Sequence, residues 1–200
     1  MFATTPAVAY LFLVRLQIRL LAATLLISAF NSIAASEDQP WAIDKPLESP
    51  SHSFSVVQHR DGDWSTTVHF ERIHAPDFTF TEVYPWPALF YVSPDDRWML
   101  QIQKSGSGDN ISFLFHIDSE GRFWRMEPGL MELAWAFIEH TQSLHQSDLY
   151  HTGIDFRRWD LRAHLLHFTF HGTYDTRHET LEVPLTYDLQ KHVVARDTKA

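Results

Sequence analysis

Residues 88–126, ALFYVSPDDRWMLQIQKSGSGDNISFLFHIDSEGRFWRM, are the stretch that decides the fold. They contain four short runs of apolar and aromatic residues separated by three polar turns. The turns are SPDD at 93–96, SGSGD at 105–109 and DSEG at 118–121, and their Asp, Ser, Pro and Gly residues are those that tight turns favour. Apolar residues alternate with others on either side of each turn. The stretch therefore predicts four strands joined in series.

A similar pattern extends over most of the chain. Further strands are predicted at 54–58, 64–71, 78–84, 153–159, 161–171 and 180–189. One helix is predicted at about 129–146 and begins at Pro128, since proline is well tolerated at the first helical position. Its apolar residues recur at helical spacing over a wide face, which indicates burial against a sheet. The sequence thus predicts a mainly β fold of antiparallel sheets with one buried helix.

Two parts of the chain share one order of elements. Residues 97–102 align with 163–168, and residues 111–118 align with 181–188. Together with its SPDD and DSEG turns, the first of these units resembles one blade of the WD-type β-propeller repeats of exported bacterial proteins, although Asp96 stands where Gly is usual. The resemblance implies blade-like sheets and a binding or scaffold role. A closed propeller typically has about 4–8 blades and this chain has room for three, so a propeller fragment and an open sheet are both considered.

The N-terminus has the features of a secretory signal peptide. The apolar run LLAATLLISAF at 20–30 follows two arginines and precedes the small residues SIAAS at 32–36, which is the usual order of such a signal. We expect residues 1–36 to be removed and the protein to be periplasmic or extracellular; a retained membrane anchor is the alternative. Residues 37–51 are predicted to form a linker, 52–190 a single β-rich domain and 191–200 a flexible tail.

The charge of the chain disfavours nucleic acid as a partner. The net charge is −9, and loss of residues 1–36 would remove two arginines and no acid, giving −11. Nucleic-acid binding needs clustered Lys and Arg to neutralise phosphates. There is no cysteine, which excludes disulfides and thiol chemistry. We expect a protein or glycan partner, or other copies of the chain that associate through sheet edges.

The thirteen histidines do not predict a metal site. No His-Glu-x-x-His motif is present and no cysteine could assist. His167 and His171 share a strand face but lie about 13 Å apart at about 3.3 Å per residue, too far to share one metal. We therefore predict no metal and no cofactor, and interpret the strand histidines as solvent-facing.

The candidate site is the polar segment 147–153, SDLYHTG, between the helix and the next strand. If the protein is a hydrolase acting on an envelope or carbohydrate substrate, the predicted catalytic residues are Asp148, Tyr150 and His151. A capped connection between the helix and the strand would explain the same residues without a ligand.

A non-catalytic binding protein is the interpretation that we favour. Aromatic faces offer apolar platforms for sugar rings, and Trp124 is among the tryptophans that could serve as one. The predicted binding residues are Tyr84, Trp86, Tyr150, His151 and Trp159.

Overall fold

The computed structural model describes residues 43–60, 62, 66–72, 77–82, 85–176 and 178–198. Within these ranges the chain forms three antiparallel sheets of four strands, and each strand pairs with its neighbour in sequence. The first sheet contains β1 (Leu47–Glu48), β2 (Phe54–Arg60), β3 (Thr66–Arg72) and β4 (Phe78–Glu82). The second contains β5 (Ala88–Val92), β6 (Trp98–Lys104), β7 (Asn110–Ile117) and β8 (Phe123–Arg125). The third contains β9 (Leu149–Asp160), β10 (Leu165–Tyr174), β11 (Thr180–Asp188) and β12 (Val193–Arg196).

The mainly β fold is confirmed, and so is the series of four strands in residues 88–126. The two aligned parts of the chain occupy equivalent positions. Residues 97–102 and 163–168 fall at the second strands of the second and third sheets, and residues 111–118 and 181–188 fall at the third strands. The weak sequence repeat therefore reflects two sheets with the same order of strands.

The helix α1 spans Leu130–Gln142 and is shorter than predicted at both ends. Pro128 is not its first residue, because Gly129 is the N-cap and its N–H donates to Glu132 Oε2 at 3.1 Å. Ser143 adopts the left-handed conformation, with φ of 53°, and ends the helix before a short 3₁₀ turn at Gln146–Asp148. Within the described ranges, no helix combines the length and the apolar character of a membrane span.

The second sheet is buried on both faces. One face packs against the first sheet through a core that includes Phe70, Phe90 and Met99. The other face packs against α1 and the third sheet through a core that includes Leu100 and Trp135. Six consecutive residues of β6 are consequently buried, including two glutamines that alternate with its apolar residues.

Side-chain amides join each sheet to the next. Gln58 of β2 donates to the backbone oxygen of Ala88 at 2.9 Å and accepts from its N–H at 2.8 Å. Asn110 of β7 makes the same pair of bonds with Ile154, at 3.2 and 2.9 Å. Because β5 and β9 are edge strands, these amides satisfy backbone groups that have no strand beside them.

Two segments differ from the sequence prediction. The predicted flexible tail at 191–200 contains β12, which pairs with β11 and packs Val194 against the core. The predicted linker at 37–51 contains β1 and the buried Ser49, while its residues 37–42 lie outside the described ranges. Each segment is held by a hairpin with the adjacent strand and by one distant side chain, Asp96 for Ser49 and His167 for Asp197.

Candidate functional site

The predicted catalytic residues do not converge. Asp148 Oδ2 accepts a hydrogen bond from the N–H of His145 at 2.8 Å, so this carboxylate caps the 3₁₀ turn. Tyr150 and His151 do lie together, with ring centroids 4.5 Å apart, and the Tyr150 hydroxyl lies 3.0 Å from Nδ1 of His178. The expectation of a capped connection describes Asp148, while the two rings form a separate cluster.

A β-bulge explains why adjacent strand residues lie side by side. The pairing of β9 with β10 shifts between His171 and Thr173, and His151 adopts φ of 52° at that point. Successive side chains of a regular strand would point to opposite faces. The bulge removes this alternation and turns the His151 ring toward Tyr150.

The turn at 105–109 lies against this cluster. A β-carbon at Gly108 would lie 2.7 Å from Cγ of His151, so only glycine permits this close approach. Asp109 Oδ1 accepts from the N–H of Thr152 at 2.8 Å, which fixes the turn to β9. The Gly-rich segment is therefore a docked turn, and Asp109 has a structural partner.

Trp86 lies on the other side of the same turn. The Lys104 ammonium lies 5.2 Å from the centroid of its indole ring, and Gln103 donates to its backbone oxygen at 2.6 Å. A groove of about 240 Å³ runs beside them, and its walls include Pro87 and Asn110. We call the surface formed by Trp86, Lys104, the turn at 105–109 and His151 the Trp86 face. Tyr84 lies outside the described residues.

Trp159 is not an exposed platform. Its ring packs 5.8 Å from that of Phe156, which in turn stacks on Tyr91 at 4.2 Å. Its indole nitrogen is buried. The pairing of β9 places this half-buried side chain against the core, and its role in ligand binding stays a prediction.

The most exposed tryptophan of the described residues lies at the opposite end of the second sheet. Trp124 of β8 retains 54% of its accessible surface, and Val193 is the other large apolar side chain that the described residues expose. The indole N–H of Trp124 donates to Asp118 Oδ2 at 3.0 Å. The Arg122 guanidinium lies 5.4 Å from the ring centroid. The ring is therefore exposed and held in one orientation; we call Trp124 and residues 118–122 the Trp124 platform.

The Asp118 carboxylate organises this platform. It accepts from Arg122 Nε at 2.7 Å and from the backbone N–H groups of Glu120 and Arg122. The hydrogen bond from Trp124, followed by those from Arg122, holds the pKa of Asp118 well below its usual value. Because hydrogen bonds to the charged form favour it, Asp118 stays ionised and keeps the indole in place.

A second turn beside the platform explains the departure from the SPDG pattern. Asp96 has φ of 56°, the left-handed conformation that favours glycine. Its carboxylate accepts hydrogen bonds from the hydroxyls of Ser49, Ser51 and Ser53. Asp96 thus connects the first sheet to the second, and a groove of about 440 Å³ lies next to it.

The histidines are more varied than the sequence suggests. His167 is buried, with Nδ1 2.5 Å from Asp197 Oδ2, so the expectation that it faces solvent is wrong. Among the residues that the structure describes, no three His, Asp or Glu side chains lie close enough to hold a metal ion.

Similarity to known proteins does not identify this chain. No family model matches it. No curated protein and no solved structure matches it either.

Proposed function

We propose that this protein is an exported, non-catalytic module that binds a glycan, with the Trp124 platform as its contact surface. The single observation that carries the proposal is the exposed and oriented ring of Trp124. A fixed aromatic ring supports sugar binding because it offers a flat apolar surface to a pyranose. Since the ring is already ordered, binding does not pay the entropy cost of immobilising it.

The polar side chains beside the ring suit a polyhydroxylated ligand. Arg122 supplies guanidinium donors and Glu120 a carboxylate acceptor, and Arg122 Nη1 lies 3.2 Å from Glu120 Oε2. Both side chains are more than half exposed. Neighbouring donors and acceptors match the vicinal hydroxyls of a sugar, which offer both functions.

The expected affinity contribution is modest. A tryptophan side chain carries at most about 250 Å² of surface, so the 54% exposed fraction corresponds to roughly 135 Å². A ligand that covers half of it would gain about 1.5 kcal/mol at about 25 cal/mol per Å². Trp124→Ala should therefore weaken binding about tenfold.

Calorimetric titration of oligosaccharides selected on a glycan array tests the proposal. Trp86→Ala is the matched control, because it removes a tryptophan from the opposite end of the same sheet. Loss of binding in Trp124→Ala alone supports the platform, whereas loss in Trp86→Ala alone would move the site to the Trp86 face. Capture of a protein, with no response to any glycan, would support a protein partner instead of a glycan.

Self-assembly into a larger ring of sheets is less well supported. The face of the third sheet that points away from the core carries mostly polar and charged side chains, with Pro184 and Ala195 as apolar exceptions; the polar ones include Asp155, Arg157, Arg158, His167, Thr169, Glu182 and Thr186. A further sheet would need an apolar face there to build a second core. A monomer at micromolar concentration in sedimentation would agree with this reasoning.

A further inference from the structure

A second β-bulge in β9 places two consecutive arginines on one face of the third sheet. The pairing of β9 with β10 matches His167 to Arg158 and Phe168 to Phe156, which leaves Arg157 as the extra residue. Arg157 Nε donates to Thr169 Oγ1 at 2.8 Å, and Arg158 Nη2 lies 3.5 Å from His167 Nε2. His167 and Thr169 lie two residues apart in β10 and thus share a face. Both arginines therefore lie on that face, which points away from the core.

The two guanidinium groups are oriented but are not neutralised. Both side chains are exposed, and neither forms an ion pair with a carboxylate of the described residues. By contrast, Arg122 and Arg125 each pair with an acid at 3.2 Å or less. Asp155 is an exposed carboxylate that the strand pairing places opposite Thr169 on the same face. Within the described residues it bonds to neither arginine.

A buried pair beneath the arginines orients one of them. Asp197 Oδ2 lies 2.5 Å from Nδ1 of His167, and both side chains are almost fully buried. Nδ1 faces the Asp197 carboxylate, so Nε2 is the ring nitrogen that faces Arg158. Asp197 is thereby engaged with His167, and both guanidinium groups stay exposed to solvent.

We propose that Arg157 and Arg158 form a binding site for a tetrahedral oxyanion, the phosphate or sulfate group of a ligand. Two adjacent like charges on one sheet face repel each other, and an oxyanion placed between them would remove that repulsion. Guanidinium groups match such anions because their planar N–H donors bind two oxygens at once. The chain carries a net charge of −9, so attraction of an anion depends on a local cluster of positive charge.

This site is independent of the Trp124 platform, because it lies on a different sheet and uses other residues. A phosphorylated and a sulfated ligand would present the same chemistry to the arginines. Titration with inorganic phosphate and with inorganic sulfate, each against chloride at constant ionic strength, distinguishes the two sources.

The test is a nuclear magnetic resonance titration that follows the arginine Nε signals of the purified protein. We expect saturable shifts of the Arg157 and Arg158 signals, with dissociation constants in the millimolar range for the free ions. Arg158→Gln and, separately, Arg157→Gln should weaken binding at least tenfold, and Arg162→Gln, an exposed arginine in the β9–β10 turn, should leave it unchanged. Thr169→Val removes the Arg157 anchor and should weaken binding less than either glutamine variant does.

Folding of each variant is checked by its thermal unfolding midpoint, which should match that of the unsubstituted protein for the three exposed arginines; Thr169 is buried, so only a folded Thr169→Val protein enters the comparison. Linear shifts that do not saturate would overturn the proposal. Equal weakening in Arg162→Gln would also overturn it, because the effect would then follow net charge. A stronger response to phosphate than to sulfate would assign the ligand as a phosphate ester, and the reverse would assign a sulfate ester.

Discussion

Two buried glutamines between the first and second sheets are expected to respond in opposite ways to the same substitution. Gln58 is 5% exposed and its amide bonds to both backbone groups of Ala88. Gln101 is fully buried, and neither its amide nitrogen nor its amide oxygen has a hydrogen-bond partner among the described residues. Methionine has a similar volume, so the substitution changes the polarity of each site with little change in packing.

The two effects have opposite signs because the Gln58 amide hydrogen-bonds to the Ala88 backbone, whereas the Gln101 amide has no hydrogen-bond partner among the described residues. Gln58→Met would leave the N–H and C=O of Ala88 buried and unpaired, at about 1–3 kcal/mol each. We expect the free energy of unfolding to fall by about 2–6 kcal/mol. Gln101→Met removes an amide whose burial without partners costs about 1–3 kcal/mol, so we expect an increase of that size.

Urea unfolding at neutral pH measures both changes as shifts of the midpoint at constant slope. Gln142→Met, at the exposed end of α1, is the matched control and should stay within about 0.5 kcal/mol of the unsubstituted protein. The reasoning would be refuted if Gln101→Met destabilised the protein by more than about 1 kcal/mol. It would also be refuted if Gln58→Met behaved like the control.

Two further predictions concern single side chains. Asp96→Gly restores the usual SPDG turn and relieves the left-handed conformation, worth about 1–2 kcal/mol. It also loses hydrogen bonds from three serines to a charged group, worth about 1.5–3 kcal/mol each. Urea unfolding should show a net loss of roughly 2.5–8 kcal/mol, and an equal or higher stability would contradict the account. Burial, and then the neighbouring Asp188, raises the pKa of Tyr187 to about 12, so its stabilising contribution is complete below the unfolded-state pKa of about 10 and is lost as pH rises toward 12. Tyr187→Phe should therefore flatten the alkaline loss of stability between pH 10 and 12, and parallel curves for the two proteins would count against this assignment.

The sequence marked Trp124 only as one of several tryptophans that could bind a sugar, and the predicted binding residues did not include it. Trp86 and the Tyr150–His151 pair came from two separate polar segments, and both lie beside the docked turn at 105–109. Trp159 was also predicted as a binding residue, and its ring packs against Phe156. The local sequence does not distinguish an aromatic strand residue that faces water from one that faces a core, because its exposure depends on residues far away in the chain.

By itself, the sequence determined much of the local structure of this protein: most of the strands, most of the turns and the position of α1. These follow from alternation, helical spacing and turn residues, which act over a few neighbouring positions. Only the tertiary structure decided which polar residues meet water. Gln101 and His167 alternate with apolar residues like solvent-facing positions, yet the first sheet covers one and Asp197 with Arg158 covers the other. The physical reason is that burial of a sheet face depends on what packs against it, and that partner lies elsewhere in the chain.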